Sequence, residues 1–313
     1  MPHSAHAIPL VQGVFAAMTI PRSSQGQLDL PAFRRHILFL ADKGVSGFVL
    51  NGATGEYCLT SEADLAQTLR TAREALGTQV TLLAGIGGAN DLQTLRLLDV
   101  AEKEGANGVL LPMPHYFPYA QQDLSAFVGS IATEASIPML LYNLPSFTSP
   151  LEPMTSASLI REFNQVVGIK DSSGQLDTVR LLTAELPDAN RVIGNDEALY
   201  EALYQQVCDG VVSGVACVLP ELMLALYHAA ETSPGSAESL RLRELLDGFI
   251  AWLTRFPVPW GLKIIAEERG FGTAIFPMPL SSQRAEDRRL FIEWFAQNRS
   301  SLLASNSFAA SAN

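Results

Sequence analysis

Cysteine, histidine, lysine and long apolar runs are all scarce in this 313-residue chain, and each scarcity excludes a kind of chemistry. The three cysteines, Cys58, Cys208 and Cys217, are scattered without disulfide or metal spacing, which favours a reducing cytosol. The five histidines, His3, His6, His36, His115 and His228, form no His-x-His or His-x3-His pair, so neither a metal nor any other cofactor is expected. No apolar run approaches the ~18 residues that a membrane span needs. Met1-Pro2-His3-Ser4-Ala5-His6 lacks the basic and apolar parts of a signal peptide, so a cytoplasmic protein without membrane attachment is expected. Positive charge is also in deficit, with 21 Lys and Arg against 32 Asp and Glu. A net charge of −11 leaves nothing to neutralise a nucleic-acid backbone or an anionic lipid surface.

What the chain does have is apolar bulk: 48% hydrophobic residues against 17% charged ones, enough for one large core. Short runs of Val, Ile and Leu predict strands near 11–15, 47–50, 80–84, 108–111, 139–142, 167–170, 191–194 and 210–213. Near-continuous apolar strands suit a parallel sheet covered on both faces. Between them lie helical patterns with their own punctuation. Asp29 caps one, with Pro31 in its first turn and Gly44 past its end. Thr60 or Ser61 opens a second, which Gly77 closes; Asn90 or Asp91 opens a third, ending at Gly105. Residues 198–206 form a fourth. Eight such units predict an α/β fold of the (β/α)8 TIM-barrel type, against an open doubly wound sheet as competitor. The barrel is expected over residues 1–225. A C-terminal helical region follows over 226–313, with helices near 220–230, 236–255, 259–269 and 282–298 and a frayed tail from Ser300.

In such a barrel, reactive groups gather where strands run into βα loops. Of the four lysines, Lys43 precedes a helix-terminal glycine, Lys103 lies among glutamates on a helix surface, and Lys263 belongs to the C-terminal region. Lys170 alone ends an apolar strand, Val166-Val167-Gly168-Ile169. Lost hydration there lowers an amine's pKa and exposes a nucleophile for a ketone; a rim lysine reaching water is the alternative. Tyr142 ends the neighbouring strand and offers a phenol for proton shuttling, unless it is simply a core residue. The loop Gly52-Ala53-Thr54-Gly55-Glu56 offers backbone amides and a hydroxyl to a carboxylate, with Glu56 either functional or a brace. Ser172, Ser213 and the stretch Gly194-Asn195-Asp196-Glu197 also stand at strand ends. Gly85-Ile86-Gly87-Gly88 lacks the third glycine and the acidic partner of a dinucleotide site and reads as a tight turn.

Gly52-Ala53-Thr54-Gly55-Glu56, Tyr142-Asn143-Leu144-Pro145-Ser146 and Gly168-Ile169-Lys170-Asp171 together resemble the dihydrodipicolinate synthase / N-acetylneuraminate lyase family, in order and spacing from about Gly13 to Pro279. The resemblance implies a pyruvate-type imine on Lys170, Tyr142 as the proton-transfer phenol, and Gly52, Ala53 and Thr54 around the 2-oxo-acid carboxylate. It also implies that Tyr116 reaches a neighbouring subunit's site within a homotetramer built as a dimer of dimers. Two positions depart from the synthases. Ala53 stands where a hydroxyl links the two tyrosines, and Phe147 stands where an arginine anchors a second carboxylate. Gly194, Asp196 and Glu197 are similar to the stretch with which the lyases hold sugar hydroxyls, although Gly214 replaces a serine. The expected activity is that of a class I aldolase or lyase cleaving or making a 2-keto-3-deoxy sugar acid, or an aldol with an apolar end. Its partners are then a 2-oxo acid and an aldehyde or sugar acid. Schiff-base dehydration, dihydrodipicolinate synthesis and non-catalytic binding of a 2-oxo acid remain as alternatives.

Overall fold

The computed structural model describes residues 9–304. Eight parallel strands close into a barrel: β1 (Gly13–Ala17), β2 (Gly47–Leu50), β3 (Thr81–Gly85), β4 (Gly108–Pro112), β5 (Met139–Asn143), β6 (Val166–Asp171), β7 (Asn190–Ile193) and β8 (Gly210–Ser213). Pairing of β8 with β1, Val212 opposite Phe15, closes the ring and excludes the open sheet. Helices α1 (Leu30–Asp42), α2 (Glu62–Leu76), α3 (Asp91–Lys103), α4 (Gln121–Glu134), α5 (Pro153–Glu162), α6 (Asp177–Glu185), α7 (Asp196–Tyr204) and α8 (Pro220–Thr232) follow the strands. Residue 225, where the barrel was expected to end, lies inside α8.

The helix starts follow the predicted chemistry. Asp29 accepts from the amide of Ala32, Ser61 from Asp64 and Asn90 from Gln93. The helix expected over 198–206 starts two residues earlier, because Asn195 caps it by accepting from the amide of Glu197. The first strand also differs from its expected span of 11–15. The amide and carbonyl of Val11 bond to the side chain of Asn190, so Val11 satisfies its backbone outside the ladder and β1 begins at Gly13.

Alternate strand residues fill the lumen. Phe15, Val49, Leu83, Leu110, Leu140, Val192 and Val212 form one buried cluster, topped by Tyr142. The opposite strand faces join the helices in a larger cluster. Burial of each such side chain stabilises by roughly 1.5–3 kcal/mol.

After α8 the chain adds α9 (Ala237–Leu253), α10 (Trp260–Glu268) and α11 (Ser282–Leu302). Because α11 runs to Leu302, residues 300–302 are helical rather than frayed; the rest of the expected tail, 305–313, lies outside the described residues. So does the Met1–His6 segment. Arg269, just after α10, makes two bonds to Glu221 at the start of α8 (2.8 and 3.0 Å), and both side chains are buried. This pair joins the C-terminal helices to the barrel. Among the described residues, no helix is long and apolar enough to cross a membrane.

Candidate active site

The C-terminal ends of β5, β6 and β7 are held together by a ladder of their own. Asn143 donates to Asp171 across β5 and β6 (3.2 Å) and accepts from the amide of Leu151. Asp171 also accepts from the amide of Ser173, and its carbonyl accepts from Gly194. These bonds use the outward-facing residues. The inward-facing ones, Tyr142 and Lys170, are register partners on adjacent strands. The Lys170 ammonium lies 4.1 Å from the centroid of the Tyr142 ring, and both residues are only 3% exposed. The other three lysines are ion-paired: Lys43 with Glu221, Lys103 with Asp99 and Lys263 with Glu56.

Lys170 opens into a cavity of about 220 Å³. Ala53 and Thr54 line it from the β2 loop, Phe147 from the β5 loop, and Ser172, Gly194 and Asp196 from β6 and β7. Gly194 leaves no room for a side chain: a Cβ there would lie 2.1 Å from Ser172 Oγ and 2.6 Å from Lys170 Cε. Ser172 Oγ and Asp196 Oδ1 are buried without hydrogen-bond partners. Burial pushes the Asp196 carboxyl up to about 6, against hydrogen bonds from Ser213 and the Val215 amide and the nearby charge of Lys170. Ser213 itself is buried and accepts from the amide of Ala216.

The Gly52 loop is a tight turn. Gly52 accepts from the amides of Gly55 and Tyr57, and Glu56 takes a left-handed conformation with φ of 55°. Glu56 acts as a brace, since its carboxylate bonds Lys263 of α10, which also donates to the Ile275 carbonyl. Gly85 makes this turn possible, because a Cβ there would meet the Asn51 carbonyl at 2.1 Å. The glycine-rich stretch at 85–88 thus serves a close backbone approach.

Four residues expected at the site are absent from the lining of the lysine cavity: Gly52 and Ser213, which lie in the β2 turn and at the end of β8, and Glu197 and Tyr116. Glu197, next to Asp196, is exposed and absent from the lining. Tyr116 is 85% exposed, has a φ of 83° and lines a second cavity instead. Conversely, Leu253, Val258 and Leu262 wall the lysine cavity from the C-terminal region. Sequence reading missed them, because an apolar residue at helical spacing carries no sign of whether it faces core or ligand. Leu262 also accounts for Gly214: a Cβ there would come within 3.0 Å of the Leu262 methyl.

Residues 10–294 match the model of the dihydrodipicolinate synthetase family. The chain belongs to that family. It is 28% identical to the 4-hydroxy-tetrahydrodipicolinate synthase of Staphylococcus haemolyticus, over 95% of this chain and 98% of the relative. The pyruvate complex of the Acinetobacter baumannii dihydrodipicolinate synthase superposes with a TM-score of 0.82 at 25% identity, over 90% of this chain and 98% of the other. N-acetylneuraminate lyase from Mycoplasma synoviae shares the fold, with a TM-score of 0.78 at 24% identity, over 91% and 98%. As a family member the chain has the fold of class I aldolases and lyases.

Proposed function

We propose that this chain is a class I aldolase or lyase in which Lys170 forms an imine with a 2-oxo acid, pyruvate or a 4-hydroxy-2-oxo adduct of it. The carrying observation is the buried Lys170 amine against Tyr142, in a cavity that ends in unpartnered polar atoms. Lys170 Nζ attacks the C2 ketone and water leaves. In the cleavage direction the C4 hydroxyl gives up its proton and the C3–C4 bond breaks. Its electron pair enters the iminium to form an enamine, and an aldehyde departs. Protonation at C3 and hydrolysis then return pyruvate and free lysine.

Tyr142, whose ring lies 4.1 Å from Lys170 Nζ, serves as the proton carrier in this reading. Thr54 and the amides of the Gly52–Ala53 turn suit the substrate carboxylate. Ser172 Oγ and Asp196 Oδ1 are buried acceptors that a bound hydroxyl would satisfy. Asp196, raised to about 6 by burial, lines the same cavity as Lys170 and is suited to exchanging a proton near neutral pH. The exposed, positive-φ Tyr116 supports the further reading of a homotetramer in which this ring crosses to a neighbouring subunit.

The relatives' named activity, 4-hydroxy-tetrahydrodipicolinate synthesis, is the competing reading. Phe147 weighs against it, because a phenyl ring on the cavity wall gives a second carboxylate no charged partner. A sugar acid would rely on Asp196 and Glu197 together, and Glu197 is absent from the lining. Borohydride reduction with pyruvate tests the imine. A stable mass increment on the peptide holding Lys170 is expected, and a folded protein without it would sink the reading. Free pyruvate released from a 4-hydroxy-2-oxo acid marks cleavage, whereas a new oxo acid without pyruvate marks dehydration.

A further inference from the structure

The lysine cavity has a neighbour. A second cavity of about 560 Å³ shares Ala53, Phe147 and Val258 with it, so the two adjoin along one wall. An antiparallel bridge between His115 and Thr148 holds the β4 and β5 loops together there, which sets Phe147 and His115 around the same space. The larger cavity is walled mostly by carbon, with Leu59, Phe147, Val258, Trp260 and Met278 joined by the phenols Tyr57 and Tyr116. Its carboxylate, Glu56, is already engaged by Lys263. His115 adds a ring edge-on to Tyr57 and a buried Nδ1 without a hydrogen-bond partner.

Resting on the Lys170 imine, we propose that the aldehyde half of the substrate carries a large apolar, ring-sized substituent, an aryl aldehyde in its simplest form, seated in this second cavity. A substituent on C4 of an imine-bound 2-oxo acid leaves the lysine cavity past whatever lines both spaces, and here that is a methyl, a phenyl ring and a valine. A polyhydroxylated chain in the same place would lose water from each hydroxyl, with only His115 Nδ1 and the Tyr57 and Tyr116 phenols to replace those hydrogen bonds. An aryl group loses no hydrogen bonds and buries its area against Phe147 and Trp260. A volume of this size falls within the range of ordinary small-molecule sites, roughly 300–1,000 Å³.

The test compares two aldehydes in the condensation with pyruvate, benzaldehyde and glyceraldehyde, on the full chain. Wild type is expected to favour benzaldehyde in kcat/KM by roughly tenfold or more, the scale on which apolar pockets discriminate. Met278→Lys, at the outer wall, is expected to remove most of that preference. It should leave the glyceraldehyde rate, the borohydride adduct on Lys170 and the molecular mass in solution unchanged. Equal use of both aldehydes, or equal losses with both in the variant, overturns the proposal while the adduct keeps the imine reading standing. A change of oligomeric mass in Met278→Lys overturns it in favour of a second copy covering the cavity. Loss of the wild-type adduct removes both readings.

Discussion

The Lys170 ammonium rests 4.1 Å above the ring of Tyr142, with the two residues paired across adjacent strands and both buried. Strand register, not a flexible loop, therefore sets the distance between amine and phenol. Tyr142→Phe keeps the ring that packs on the lysine and removes only the hydroxyl. The borohydride adduct with pyruvate should still form, while kcat for aldol cleavage falls roughly 10²–10⁴-fold, the usual contribution of a positioned acid or base. Lys170→Ala should lose both, as read by intact mass and by pyruvate release.

Gly194 offers a steric test of the same site. With 2.6 Å between an added Cβ and Lys170 Cε, Gly194→Ala must displace the lysine chain or Ser172. A displacement on the order of 1 Å costs about 10²-fold in rate. The expected result is that loss in kcat/KM, with a near-ultraviolet circular dichroism spectrum like that of wild type.

On the proposed reading Ala53 and Phe147 set this chain apart from dihydrodipicolinate synthesis, and each can be reversed. Phe147→Arg is expected to raise kcat/KM roughly tenfold for a carboxylate-bearing aldehyde, because a bidentate guanidinium then meets the second carboxylate. Ala53→Ser is expected to change wild-type turnover by less than about threefold, if Asp196 already supplies the proton path. Steady-state kinetics decide both. An inactive wild type that Ala53→Ser awakens would show that the missing hydroxyl silences the site.

Two buried groups predict opposing pH effects on stability. Asp196 titrates near 6 when folded, above its ordinary value, so the folded state holds the extra proton and stability falls as pH rises from about 4 to about 6. His36, bonded through Nε2 to the Cys217 carbonyl and stacked on Phe271, is pushed down to about 4 mainly by burial. There the unfolded state holds the extra proton, so stability is lost as pH falls from about 6.5 to about 4. The two slopes oppose each other over the same window. Urea midpoints across pH 4–6.5 should therefore show, relative to wild type, a steeper acid loss in Asp196→Asn. His36→Gln should show the reverse, a relative gain on acidification.

Much of this was legible in the chain itself. Parallel strands buried on both faces must be apolar runs, which is why seven of the eight begin and end within one residue of their expected places. With few lysines present, the one at the end of an apolar strand stands out. Helix caps were legible because Asp29, Ser61 and Asn90 use side-chain oxygens at fixed spacing. The start of β1 was not, because Val11 is satisfied by Asn190, a residue 179 positions away. Nor was the separation of Asp196 from Glu197: on the first turn of α7, consecutive residues point about 100° apart, so one faces the cavity and the other water. The partnership of Glu56 with Lys263 spans 207 positions and has no local signature.

The wall formed by Leu253, Val258 and Leu262 comes from a segment that contributes no strand to the barrel. On the proposed reading the strands supply the reacting lysine, while part of the wall facing the substrate comes from outside the barrel. Grafting residues 253–262 from another family member would be a route to new aldehydes that leaves the imine chemistry in place.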